Sequence, residues 1–378
     1  MSVEIRPVRS RADLMRFIKL PWRLYRNAPH WVPPLVSERR RHLDRARNPF
    51  FQHAEAEYLL AWRDGEPIGR ITAHVDDRFN EFQDNDWGLF GFFECEDDAE
   101  AAAALLGAAE RWLRDRGRDR MVGPMDFTTN HECGLLVEGH QRRPQILENW
   151  HHPYLADLIE GYGLTKAMDL LKYEMGLEDL SKTLPVIYEL AEKLEPEHGI
   201  VVRHMRKREF KDEVQRFMDV YNSAWEENWG FVPLTKAEIE AYASELRPIL
   251  DENWALIAEK DGETVGAALT LPDYNQVLAK LDGRLLPFGW LRALTARRKI
   301  DSVRVFALGV RPEFQHAGVA AAFYVEHFKM ASKTPQTWGE MGWVLETNTP
   351  MNRALEAMGA AVVKRYRLYQ ADLWAQRS

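Results

Sequence analysis

Gln315, Gly318 and Ala320 lie in the run Gln315-His316-Ala317-Gly318-Val319-Ala320, after the apolar stretch Val303–Val310 and at the head of an alanine-rich segment reaching Lys333. The β-branched and aromatic residues of the first stretch predict a strand, and the segment from Gly318 to Lys333 predicts a helix. Backbone N–H groups in the first turn of a helix have no intrahelical acceptor and sit at the positive end of its dipole. Small residues there let a ligand approach the main chain, so this spacing suits an anion such as a pyrophosphate without any basic side chain. Six residues of this kind also describe an ordinary helix start, so the flanking elements carry the assignment.

Downstream come a second strand candidate, Trp338–Val344, a segment from Asn348 to Gly359 with helix-capping residues Pro350 and Gly359, and a strand-like run Val362–Leu373. The order and the Gln-x-x-Gly-x-Ala motif resemble the GNAT superfamily of N-acyltransferases. There Gln/Arg-x-x-Gly-x-Gly/Ala follows a strand and opens a helix, and an Asn opens the last helix. The resemblance implies an acyl-CoA co-substrate, acetyl-CoA or a long-chain acyl-CoA. It would be held at Leu308, Gly309 and Val310, at Gln315, His316, Ala317, Gly318, Val319 and Ala320, and at Asn348 and Asn352. In that superfamily the strand carrying Leu308–Val310 splays from its neighbour and offers a backbone amide to the thioester carbonyl. Gly309, interrupting an otherwise bulky strand, is expected at a bulge or a close backbone approach.

Transfer to an amine requires a base for an ammonium of reference pKa about 10, a donor to the oxyanion, and an exit for the thiolate. Glu340, in the second strand, and Glu346, just before the Asn348 helix, are the candidate bases, with Asp273 behind them. Many superfamily members place a Tyr in the last helix as acid, but the matching position here is Leu355. Tyr366 or Tyr369 on the final strand would substitute, or the thiolate would leave unaided, its thiol pKa being near 8.5.

The elements that must position these groups occur twice. Ala61-Trp-Arg-Asp64-Gly65-Glu-Pro-Ile-Gly69 returns as Ala258-Glu-Lys-Asp261-Gly262-Glu-Thr-Val-Gly266, an Asp-Gly hairpin signal in each half. Each is followed by a strand (Gly88–Glu94; Val303–Val310), an alanine-rich helix (Ala99–Asp115; Gly318–Lys333) and a helix ending in Gly163 or Gly359. The expected fold is α/β (α+β): two tandem GNAT-like domains, each a mixed, mostly antiparallel twisted sheet flanked by helices. The expected boundaries are 1–175 for a degenerate domain, 176–198 for a linker helix, and 199–378 for the acyl-CoA-binding domain with an insertion at 274–300. The first copy carries Glu94-Cys-Glu96-Asp97-Asp98-Ala-Glu100 where the second has its motif, and carboxylates would repel a pyrophosphate. Its polar segment from Gly123 to Gly139, containing Asp126, Asn130, Glu132 and Glu138, suits either an acceptor pocket or a hydrogen-bonded loop.

With 378 residues, 46% hydrophobic and 29% charged, the chain has room for two globular domains. A net charge of −8 argues against general nucleic-acid binding. Cys95 and Cys133 are too far apart for a disulfide scaffold, and neither His131-Glu-Cys133 nor His151-His152 has metal-ligand spacing, so no metal is expected. A reducing, cytoplasmic setting follows, and no stretch approaches a membrane span.

For the acceptor, Trp225, Asn228 and Trp229 combine aromatic walls with isolated polar groups, as do Asp273, Tyr274 and Asn275. Within the insertion, Leu285-Leu-Pro-Phe288-Gly-Trp290-Leu-Arg292 precedes Arg297-Arg298-Lys299, a composition suited to peripheral contact at the inner membrane face or to a lid. The packed-helix reading stays beside it. Asn-Trp-Gly-Phe-Val-Pro, Pro-Asp-Tyr-Asn-Gln and Gly-Glu-Met-Gly-Trp-Val-Leu-Glu-Thr-Asn resemble the group of bacterial ceramide synthases over nearly the whole chain. That resemblance implies a long-chain acyl donor and a sphingoid-type amine. A small-amine N-acetyltransferase, a noncatalytic acyl-CoA sensor and an acyl carrier protein as donor remain alternatives.

Overall fold

The computed structural model describes residues 2–176 and 185–375. Of the expected linker helix, residues 177–184 lie outside the described residues. The chain opens with β1 (Glu4–Pro7), α1 (Arg11–Leu24), α2 (Val36–His42), β2 (Ala54–Arg63), β3 (Glu66–Asp76), α3 (Asp77–Gln83), β4 (Trp87–Cys95) and α4 (Ala99–Arg114). It continues through β5 (Arg120–Gly123), β6 (Leu135–Glu138), α5 (Tyr154–Tyr162) and β7 (Thr165–Gly176). Next come α6 (Pro185–His198), β8 (Ile200–His204), α7 (Phe210–Ala224), α8 (Lys236–Leu246), β9 (Ala255–Lys260), β10 (Glu263–Pro272), α9 (Asn275–Leu278) and α10 (Gly289–Ala296). The last elements are β11 (Ser302–Val310), α11 (Val319–Ala331), β12 (Trp338–Leu345), α12 (Thr349–Ala357) and β13 (Ala361–Asp372).

Two compact units emerge: Met1–Leu170 with Leu278–Trp290 and Lys364–Ser378, and Leu171–Val277 with Leu291–Val363. By packing, α6 belongs to the second unit and the C-terminal strand from Lys364 onward to the first. Both units use the same local devices. Asp64-Gly65 and Asp261-Gly262 have positive φ at both residues (54° and 83°; 52° and 86°), the mirror-image turn that joins β2 to β3 and β9 to β10. Gly163 and Gly359, φ 105° and 86°, end α5 and α12 in the left-handed conformation that a Cβ would disfavour.

In the first unit β1, β2, β3 and β4 form an antiparallel run, β5 joins β4 in parallel, and β13 adds to β5 antiparallel. One side carries α4 and α5 over a core including Ile71, Phe90, Leu105 and Leu106; a second cluster gathers Phe17, Phe50, Tyr58 and Phe127. The second unit repeats the plan with β8, β9, β10 and β11 antiparallel and β12 parallel to β11. There α6 and α11 cover Leu256, Val265 and Ala268, with Phe323 of α11 packed among them. Each unit is thus a mixed, mostly antiparallel sheet flanked by helices.

Candidate functional site

In the second unit β11 pairs with β12 only from Ser302–Trp338 to Val305–Met341, whereas its pairing with β10 continues to Val310. The two parallel strands therefore part after Val305, and the β12-side edge of residues 306–310 opens into a splay. On the β10 side the register passes from Leu269 opposite Ala307 to Thr270 opposite Val305, which leaves Phe306 as the extra residue of a bulge. The bulge is at Phe306, three residues before the expected Gly309. Gly309 has a packing reason instead: a Cβ there would overlap the Trp225 ring and stand 3.0 Å from Ala224 Cβ.

Beyond the splay, Gln315, His316 and Ala317 lie in a 3-10 turn, Pro312–Ala317, with Gln315 and His316 exposed. Gly318 makes the joint to α11 at φ +89°, and no side chain caps that helix. A Cβ on Gly318 would stand 3.1 Å from the Leu190 carbonyl oxygen, so α6 packs beside the joint. Val319 is buried and Ala320 half-buried in the first turn.

Between α11 and the diverging strands is an apolar cavity of about 20 Å³, lined by residues including Val305, Leu308, Met341, His327 and Tyr324. The Tyr324 hydroxyl donates to Met351 Sδ at 3.8 Å, and burial pushes the phenol up to about 12. Met351 precedes Leu355 by one helical turn, so both occupy one face of α12, and Leu355 is buried in the cluster Tyr324 packs against. Tyr324 was not among the residues singled out from the sequence. Its signal was a lone hydroxyl in the small and apolar run Ala320–Val325.

Glu340 on β12 is buried, with Arg304 as its cross-strand partner; that guanidinium, also buried, lies 4.9 Å from the Trp343 ring and 5.3 Å from Phe306. Glu346 is half-buried just past β12. Asn348 accepts the Met351 N–H as N-cap of α12. Asn352 donates to the Leu345 and Glu346 carbonyls at 3.1 and 3.2 Å and accepts the Tyr173 hydroxyl at 3.1 Å. Both asparagines thus shape the β12–α12 turn. Asp273 and Asn275 are buried and joined by an Asn275 N–H to Asp273 Oδ1 bond of 3.2 Å; burial raises the half-buried Tyr274 phenol. Trp225 packs on Tyr221 with centroids 4.7 Å apart, while Asn228 and Trp229 are half-buried in the following turn. Tyr366 lies in the first unit, where its buried hydroxyl donates to the Asn149 carbonyl at 3.0 Å.

The first unit has the corresponding splay, β4 and β5 pairing from Trp87–Arg120 to Leu89–Val122 with a bulge near Phe92, but there the chain fills it. Met125 N–H donates to the Phe90 carbonyl at 2.7 Å, and the bulge amide, Phe92 N–H, donates to Asp126 Oδ1 at 2.8 Å. Phe92 and Phe127 hold positive φ, 48° and 89°. Burial, with Glu132 next, raises the Asp126 carboxyl to about 7. Burial also acts to raise Glu132, but Arg39 at 2.8 Å, together with a backbone hydrogen bond and His131, offsets it and holds that group below its ordinary value. At the head of α4, Asp98 caps the Ala101 N–H and pairs with Arg63. Among the described residues, no group of three His, Cys, Asp or Glu could hold a metal, and no helix is long and apolar enough to cross a membrane.

No protein-family model matches the chain. It is 36% identical over 379 residues to the bacterial ceramide synthase of Caulobacter vibrioides, covering 98% of each. It is also 36% identical over 377 residues to protein YghO of Escherichia coli, covering 98% of this chain and 95% of the relative. Among solved structures, a tandem GNAT protein from the clavulanic acid biosynthesis pathway aligns over the whole of both chains, with a TM-score of 0.59 and 11% identity.

Proposed function

The chain belongs to the family of the Caulobacter bacterial ceramide synthase and YghO, an acyl-CoA-dependent N-acyltransferase on a tandem GNAT fold, and from that premise we propose that it acylates a sphingoid-type lipid amine from a long-chain acyl-CoA. The observation that carries the assignment to the second unit is the open β11–β12 splay, set against the first unit's splay filled by Met125 and Asp126. The left-handed Gly318 and the uncapped first turn of α11 suit the pyrophosphate, and the backbone of Leu308–Val310 suits the thioester carbonyl. The first unit is then the degenerate copy.

The amine nitrogen attacks the thioester carbon, a C–N bond forms and the C–S bond breaks. Glu346, half-buried rather than enclosed beside Arg304 as Glu340 is, takes the ammonium proton directly or through water. Tyr324 gives its proton to the departing sulfur, on the α12 face where Leu355 has no hydroxyl, and is reprotonated from solvent after release. Trp225, Asn228 and Trp229, with Asp273, Tyr274 and Asn275, form the acceptor side. An acyl carrier protein would present the same phosphopantetheine arm, and segment 285–299 would keep the enzyme at a membrane where its lipid substrate resides.

Thermal stabilisation by CoA, acetyl-CoA and palmitoyl-CoA tests the cofactor site, because a ligand at a hundred times its dissociation constant adds about 2.7 kcal/mol. The stabilisation should grow with chain length and vanish in Gly318→Glu. Ala320→Glu, which leaves the Gly318 joint unstrained, should do the same. Equal shifts with acetyl-CoA would favour a small-amine N-acetyltransferase, and no shift with any of the three would refute the site. Shifts without thiol release in the presence of amines would favour the sensor reading.

A further inference from the structure

Twelve large hydrophobic side chains are exposed among the described residues, and six of them fall within ten positions: Leu285, Leu286, Phe288, Trp290, Leu291 and Leu294. Their exposure runs from 38% to 76%, with Leu286 and Phe288 at the high end. Such a concentration is a patch rather than the scatter normal on a protein surface.

The orientation of α10 sharpens the point. At about 100° per residue, Trp290, Leu294 and Leu291 span roughly 100° of the helix, while Ala296 lies nearly opposite their centre. Ala296 is the buried residue of this helix. The large apolar face therefore turns away from the protein and the small residue toward it, the reverse of a helix packed on a core. The approach to this segment is fixed: Trp22 Nε1 donates to Asp282 at 2.9 Å, and Val36 N–H donates to the Gly283 carbonyl at 3.0 Å. Ile300 is buried at the far end.

Charge identifies what covers the face. Residues 284–299 contain Arg284, Arg292, Arg297, Arg298 and Lys299 and no carboxylate, in a chain of net charge −8. All five are exposed. A second copy meeting this face across a two-fold axis would set basic rim against basic rim, whereas a bilayer with anionic headgroups supplies both an apolar interior and negative charge. Trp290, whose indole N–H is bonded to the Pro287 carbonyl at 3.0 Å, keeps the amphipathic ring favoured at the headgroup level.

We propose that segment 284–299 is a docking surface for an anionic lipid bilayer, with Leu286, Phe288, Trp290, Leu291 and Leu294 entering the interface and the basic side chains resting on phosphate headgroups. The test is flotation of the full chain with vesicles of phosphatidylcholine alone and of phosphatidylcholine with a third phosphatidylglycerol. The expected result is binding to the anionic vesicles that weakens with salt. Leu286→Ser/Phe288→Ser should lower the partition coefficient at least tenfold, with an unchanged melting temperature. Arg292→Gln/Arg297→Gln/Arg298→Gln should remove most of the dependence on phosphatidylglycerol and flatten the salt response. No flotation with either vesicle would overturn the proposal. So would a concentration-dependent dimer, by sedimentation, that the serine variant dissociates, because the face would then be covered by another copy. Vesicle binding needs no turnover, so its failure is separate from a failure of acyl transfer.

Discussion

Tyr324→Phe removes one oxygen from a half-buried ring and isolates a chemical role from a structural one. That oxygen has a thioether sulfur at 3.8 Å as its partner, a weak acceptor, so its loss should change stability by no more than about 0.5 kcal/mol in either direction. The consequence for turnover is larger. Proton transfer from a positioned acid contributes about 10²–10⁴-fold, and a thiol of pKa about 8.5 needs modest help, so the lower end applies. We expect kcat to fall about 100-fold, roughly 2.7 kcal/mol of barrier, with KM for acyl-CoA little changed. The assay is thiol release with saturating amine, repeated with thioesters of increasingly acidic thiols; the defect should shrink as the leaving thiol becomes more acidic. With the phenol near 12, the acid stays protonated through the working range, so the mutation should add or remove no limb below pH 10. Turnover within twofold of the parent would refute the assignment, as would a loss independent of the leaving group. Leu355→Tyr in the Phe background should restore part of the rate if the position on α12 is equivalent.

Glu346→Gln should lower kcat/KM at least tenfold, whereas Glu340→Gln should cost about 1–3 kcal/mol in thermal or urea unfolding and leave the activity of the folded fraction largely intact. Reversal of that pattern would make Glu340 the base. Asp126 predicts a pH dependence of stability. Its folded value is raised to about 7 from the ordinary 3.8, so between these the folded chain holds a proton that the unfolded chain has lost. Its contribution is therefore largest below the ordinary carboxylate range and declines, by up to about 1.4 kcal/mol per unit, as the pH rises to 7. Asp126→Asn keeps an acceptor for the Phe92 N–H and should flatten urea-derived stability across pH 4–7; an unchanged slope would place the titration elsewhere.

Much of this was written locally in the sequence. Asp-Gly between strand-like runs demands two positive φ values, and a Gly at the end of an apolar helix demands a left-handed cap, so both hairpins and the ends of α5 and α12 were legible without long-range information. The helix start after Gly318 was legible for the same reason, since backbone freedom and small size are properties of the residues themselves. Tertiary structure decided what depends on neighbours distant in the chain. The bulge is at Phe306 because β10 and β11 lose register there, while Gly309 answers to Trp225, just past α7. Asn348 and Asn352 spend their polar atoms on the turn into α12, a matter of which carbonyls lie within reach. Tyr324 acquires its place from packing between α11 and α12. The filling of the first splay by Asp126, thirty-four residues beyond Phe92, likewise required the fold. Local rules set where the chain turns, coils and leaves its N–H groups bare; only the closing of long loops decided which bare groups are filled from within and which stay open.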